Sequence, residues 1–120
     1  MEMKLELVPV PVSDTDRAIE FYKKVGFNLD HDHKVKPGLR FVQFTPPGSA
    51  CSIAFGEGIS EMQPGSQKGL QMVVKDTGAI REELLKRGIE VSEVQEMPWG
   101  IFAFFSDPDG NSWSLQQIVR

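Results

Sequence analysis

What this chain has little of narrows the question before any motif is read. It carries a single cysteine, Cys51, among 120 residues. No internal disulfide is available to it, and a reduced, cytoplasmic setting is the expectation. It lacks any apolar run near the roughly 20 residues of a membrane span. Met1 to Glu6 lack the apolar core of a signal peptide. It also lacks a basic excess: the formal net charge is -4, which argues against a sequence-independent nucleic-acid binder. With two histidines in all, candidates for general-base or metal chemistry are few. No nucleophile–base pair or general-acid constellation stands out.

What is present suits one domain with a core. Hydrophobic residues make up 40% and charged residues 25%, a balance that argues against disorder.

The chain also repeats itself. Shifted by 62 residues, it falls on itself without a gap. Val12-Ser13-Asp14-Thr15 lands on Val74-Lys75-Asp76-Thr77, Gly26 on Gly88, and Gly38 on Gly100. Pro46 and Gly48 land on Pro108 and Gly110, and Ser52 on Ser114. The coincidences fall at the breaks, on the residues that set backbone geometry.

Each copy reads β-α-β-β-β. Leu5 to Val12 is a β-rich run whose Pro9 and Pro11 mark an edge or bulged strand. A helix capped by Ser13 or Asp14 follows, with Ala18, Tyr22 and Val25 on one face, and Gly26 stops it. Strands are expected at Phe27 to His33, Leu39 to Phe44 and Ala50 to Phe55. The second copy places them at Gly69 to Val74, Ile89 to Gln95, Ile101 to Ser106 and Ser112 to Val119, with a helix ended by Gly88. Module one spans residues 1–56, a linker 57–68 and module two 69–120, all within a single domain.

Three stretches carry a family resemblance: Val12 to Tyr22 (VSDTDRAIEFY), the Gly26-Phe27 step, and Phe105 to Trp113 (FSDPDGNSW). They resemble the vicinal oxygen chelate superfamily, which includes glyoxalase I, bleomycin-resistance proteins and extradiol dioxygenases. The resemblance covers essentially the whole chain. It implies an α+β fold of two tandem βαβββ modules whose curved mixed sheets enclose a pocket, with helices outside, commonly as a homodimer.

Metal-dependent members of that group place a His or Gln on the first strand and a Glu on the last strand of a module. These converge on a divalent cation that binds two substrate oxygens. Carried over, the last-strand positions are Ser52 and Ser114, and the first-strand positions are Leu7 and Gly69. Two steps along lie Pro9 and Gln71, of which Gln71 alone can coordinate. Three or four ligands are the usual minimum. The expectation is therefore no cofactor; a divalent metal would need non-standard ligands such as His31, His33 or Gln71.

The pocket wall follows from strand pairing. A turn at Pro46-Gly48 would set Val42 opposite Ser52 and Arg40 opposite Ala54. The second copy sets Phe104 opposite Ser114 and Phe102 opposite Gln116. Cross-strand partners share a face. With Ser52 toward the pocket, as the resemblance implies, the expected wall is Arg40, Val42, Ser52, Gln71, Phe102, Phe104, Ser114 and Gln116. Small-molecule sites are built this way, apolar and aromatic with a few polar anchors.

The leading expectation is a protein that binds a small aromatic or anionic molecule. The ligand would stack on Phe102 and Phe104, with Arg40 supplying a charge-assisted contact and Gln71 a hydrogen bond. The alternatives are a glyoxalase-like lyase or isomerase or a dioxygenase with non-standard ligands, and an interaction module with a vestigial pocket. The partners expected are a small molecule and a second copy, and neither nucleic acid nor membrane.

The remaining candidates read as structure. His31 and His33 share one strand face, with Asp30 and Asp32 on the other. Cys51 reads as an inert thiol, Asp107 to Asn111 as a turn and not a calcium loop. Trp113 reads as core, and Trp99 as a residue near the pocket mouth.

Overall fold

Paired signals set the limits of the helices. The Asp14 carboxylate accepts a hydrogen bond from the Arg17 amide at 3.0 Å and starts helix α1 (Thr15–Val25). Gly26, at φ 105°, then turns its own N–H back onto the carbonyls of Lys23 and Tyr22 and ends it. Asp76 caps helix α2 (Thr77–Lys86) in the same way through the Ala79 amide. The computed structural model describes residues 1–118.

The strands are β1 (Leu7–Pro9), β2 (Asn28–Lys36), β3 (Leu39–Thr45), β4 (Ser52–Glu57), β5 (Leu70–Val73), β6 (Gln95–Met97), β7 (Gly100–Ser106) and β8 (Ser112–Gln117). Each module builds its own mixed four-stranded sheet, in the orders β1-β4-β3-β2 and β5-β8-β7-β6. First and last strands pair in parallel and the others antiparallel. The result is the α+β, two-module arrangement that the repeat implies, with curved sheets that do not close. β1 lies at a sheet edge, where the missing N–H of Pro9 does no harm. No helix among the described residues is long and apolar enough to cross a membrane.

Four strands differ from expectation: β1 holds only Leu7–Pro9 of the run from Leu5 to Val12, β2 continues past His33 to Lys36, and β6 and β8 are shorter. The ladder of β6 holds only Gln95–Met97. The stretch before it is fixed instead by two bonds at one point, Ser92 N–H to the Phe104 carbonyl and Phe104 N–H to Ser92 Oγ, while Ile89 drops into the core. β8 ends at Gln117, and Val119 lies outside the described residues.

One core serves both modules. Strand β3 alternates between half-buried and fully buried positions, as a sheet with one packed face must. Tyr22 of α1 is fully buried at its centre. Its ring lies 5.5 Å from Phe27, 5.7 Å from Phe55 and 6.0 Å from Trp113, so rings from both modules meet on it. Trp113 faces this core, as its alternation with Ser114 predicts.

The Asp107–Asn111 turn fastens the modules together. Tyr22 O–H donates to Asp107 Oδ2 at 2.8 Å, and Trp113 Nε1–H donates to the Tyr22 oxygen at 3.1 Å. Asn111 Nδ2 donates to Asp107 Oδ2 and to the Pro11 carbonyl. Asp109 accepts from the Ser13 amide, the Ser13 hydroxyl and Arg17, at the start of α1. Burial, reinforced by the Asp107 charge, pushes the Tyr22 phenol far above its ordinary range, so it remains a donor. At the other end of α1, Arg87 donates to the Lys24 and Val25 carbonyls and joins the two helices.

Candidate functional site

Strand register decides which side chains stand on the open face, the one turned away from the helices. In module two the tight Asp107–Asn111 turn gives the expected pairing, Phe104 with Ser114 and Phe102 with Gln116. In module one the pairing is Val42 with Phe55, Gln43 with Ala54 and Phe44 with Ile53. Ile53 and Leu115 are 62 positions apart, but their partners Phe44 and Ala103 are only 59 apart. The first hairpin is thus three residues shorter than the second, and the repeat is not free of gaps.

This shift corrects two of the eight expected wall residues. Arg40 pairs with Glu57, not Ala54, and Val42 pairs with Phe55, not Ser52. Both stand on the helix side, where Val42 is fully buried. Arg40 donates to Asp32 Oδ1 and Oδ2, each at 2.9 Å, and to Asp16 of α1, also at 2.9 Å. Those bonds hold the Asp32 carboxyl below its ordinary range and raise the guanidinium further above its own. Arg40 is a fastening between sheet and helix.

In place of Arg40 and Val42, Gln43 and Thr45 stand on the open face with Ser52. A second feature adds to them. A bulge between Leu29 and His31 turns the Asp30 carboxylate to the same side, so Asp30 does not oppose the histidines as strict alternation would have it. The resulting hydrogen bonds run in one direction. Thr45 Oγ1 gives its proton to Asp30 Oδ2. Ser52 Oγ, 2.6 Å from Thr45 Oγ1, must then be the donor of that pair. Gln43 Nε2 donates to Ser52 Oγ and Asp30 Oδ2, both at 3.4 Å. Asp30 Oδ1 keeps no partner among the described residues. His31 and His33 stand beside this group, their ring centres 5.5 Å apart.

The module-two face is different in kind. Phe102 and Phe104 lie parallel within 4°, with centroids 6.2 Å apart. Beside them runs an amide relay: Ser114 Oγ donates to Gln71 Oε1, Gln71 Nε2 to Gln116 Oε1 at 2.5 Å, and Gln116 Nε2 to the Trp99 carbonyl. Every strand residue on this face is uncharged. The face is also open: Phe104 is 40% exposed, Trp99 63% and Val73 65%.

A cleft of about 430 Å³ lies between the modules, bounded by Phe27, Leu84, Leu115 and the Pro46–Ser49 turn. Of the eight expected wall residues only Gln71 reaches it. Cys51 is half-buried, and its Sγ contacts the Ser52 carbonyl.

Residues 4–115 match the model of the Glyoxalase/Bleomycin resistance protein/Dioxygenase superfamily. The chain belongs to that superfamily. Among solved superfamily-like structures, TnmS3, an antibiotic binding protein from Streptomyces sp. CB03234, superposes with a TM-score of 0.88 at 37% identity, covering 98% of each chain. A member of the same superfamily from Sphaerobacter thermophilus DSM 20745 gives 0.83 at 30% identity, over 97% of this chain and 98% of that one. The uncharacterized protein YetH of Bacillus subtilis (strain 168) is 29% identical over 122 residues, spanning 98% of this chain and 100% of YetH.

The glyoxalase-type metal positions can now be located. Leu7 pairs with Ser52 on neighbouring strands, and Gln71, not Gly69, pairs with Ser114. The donors gathered there are two hydroxyls and one amide, with a leucine in the fourth place. Divalent centres of this superfamily's kind draw on imidazole and carboxylate, and this set does not fit one. Among the described residues, no group of three or more His, Cys, Asp or Glu is placed to hold a metal ion.

The sequence missed Asp30, Gln43 and Thr45 as open-face groups. Gln43 and Thr45 follow once the hairpin length is known. The bulge that turns Asp30 leaves no composition signal.

Proposed function

We propose that this superfamily member is a metal-free binding protein for a small planar aromatic molecule. The parallel Phe102 and Phe104 rings beside the Gln71–Gln116 relay carry this reading. Phe104 offers exposed ring surface for stacking, the buried Phe102 lies parallel to it and supports it, and fixed amide groups stand at the border, the usual make-up of a small-molecule site. The likeness to TnmS3, an antibiotic binding protein, supports the same class of role. An anionic anchor has no support, because Arg40 is committed to Asp32 and Asp16 on the helix side.

The open faces need a cover. Leu7, Val73, Trp99 and Phe104 leave apolar surface in water, and a second copy of the chain would bury it. In this reading the site is completed in a homodimer, with the polar wall of module one facing the aromatic wall of module two across a single pocket.

The test is titration of the purified protein with naphthylmethanol, a neutral planar probe, followed by Trp fluorescence and calorimetry. Binding that weakens about tenfold or more in Phe102→Ala and Phe104→Ala is expected. Elemental analysis and light scattering accompany it. Stoichiometric bound metal would overturn the metal-free reading in favour of a lyase, isomerase or dioxygenase. A monomer with full binding would overturn the shared pocket.

A further inference from the structure

We infer that the ligand of this pocket carries a cationic ammonium or comparable strong hydrogen-bond donor beside its aromatic ring system, and that Asp30 receives it. The inference rests on the pocket proposed above and names the charge of what fills it.

Three observations on the two walls point the same way. The first is the direction of the hydrogen bonds in module one. The bonds from Gln43, Ser52 and Thr45 end on Asp30 Oδ2, while Oδ1 is left without a partner among the described residues. A wall whose protons all point at one carboxylate asks its ligand for protons, not for acceptors.

The second is the distribution of charge. The module-two wall is uncharged. On the hairpin that carries Asp30, Arg40 is bound to Asp32 and Asp16, Lys34 lines the helix-side cleft with Asp16 and Glu57, and Lys36 sits at the far end of β2 beside the turn, opposite Leu39. Asp30 is therefore the one carboxylate on the strands of either open face among the described residues, and no lysine or arginine among them forms an ion pair with it. His31 and His33 are the titratable groups on the strand positions that follow Asp30 on that side, and Lys36 lies at the far end of the strand.

The third is the aromatic wall itself. Phe104, 40% exposed and parallel to the buried Phe102, is the ring a ligand reaches, and the face of such a ring attracts a cation and repels an anion.

The experiment compares naphthylmethylammonium and naphthoate, which share one ring system and differ in charge, with neutral naphthylmethanol as reference. Titrations are run near pH 8, above the ordinary range of imidazole, so that histidine charge stays out of the comparison. The expected result is that the ammonium binds about tenfold tighter than the carboxylate. Asp30→Asn should reduce that preference to about twofold or less. Asp32→Asn removes the same charge from the same strand, but on the helix side, and should leave the preference in place. Circular dichroism verifies that both variants are folded; Asp30→Ser serves as a second variant if Asp30→Asn is not.

Equal or inverted preference in the native protein overturns the inference, as does a preference that survives Asp30→Asn. If Asp32→Asn abolishes it equally, net charge and not Asp30 is responsible, which also overturns it. These outcomes leave the aromatic pocket standing as long as naphthylmethanol binding depends on Phe102 and Phe104. If naphthylmethanol binds without that dependence, or no probe binds, the pocket itself is misplaced and both readings fall.

Discussion

The hydroxyl of Tyr22 and the carboxylate of Asp107, 85 residues apart in sequence, meet at 2.8 Å in the middle of the core. Removing the hydroxyl leaves a buried carboxylate short of one donor and Trp113 Nε1–H without its acceptor. Tyr22→Phe should lower stability by about 1–3 kcal/mol in urea denaturation. Binding of a planar aromatic probe by the folded variant should be unchanged.

Register makes opposite demands on two neighbouring candidates. Val42 is fully buried on the helix side, and Phe104 is 40% exposed on the open face. Val42→Ala should cost about 2 kcal/mol of stability and leave probe affinity intact. Phe104→Ala should do the reverse, costing about 1 kcal/mol or less while weakening the probe. Paired denaturation and titration curves on the two variants separate the outcomes.

The Arg40–Asp32 pair ties stability to pH. The hydrogen bonds from Arg40 hold the folded Asp32 pKa below its unfolded value. The stabilisation is therefore complete above the ordinary carboxylate range and is lost as pH falls through the folded value. Asp32→Asn should destabilise by about 1–2 kcal/mol near pH 7, with the gap to the native protein closing near pH 3. A constant gap across that window would show that the pair contributes through packing and not through charge.

Arg87 holds two carbonyls at the end of α1 with one guanidinium nitrogen, and its side chain is 40% exposed. Arg87→Ala should cost about 0.5–1 kcal/mol in thermal or urea unfolding. Lysine should not restore it, because a single ammonium cannot hold both the α1 carbonyls and Glu83, which the guanidinium reaches through Nε and Nη2.

Much of this was legible in the sequence, and the reasons are local. Asp14, Asp76 and Gly26 act where their short side chains or missing Cβ dictate, so helix limits could be read directly. The Asp107–Asn111 turn leaves little freedom, and β7 and β8 paired as expected. The hairpin through Pro46, Pro47 and Gly48 gave no such constraint. A coincidence of Pro and Gly with the second copy concealed a hairpin three residues shorter, and that error turned Arg40 and Val42 to the wrong side. Asp30 needed a bulge, which arises from the pairing of two strands and has no signature in either one alone.

The Asp107–Asn111 turn has one more consequence. Each of its carboxylate oxygens is already engaged: Asp107 by Tyr22, Asn111 and two backbone amides, and Asp109 by Ser13 and Arg17. Nothing in it is left over for cargo. Used as a search pattern, Asp-Pro-Asp-Gly-Asn collects chains that share a joint, and a chain's choice of molecule has to be looked for on the opposite side of its sheets.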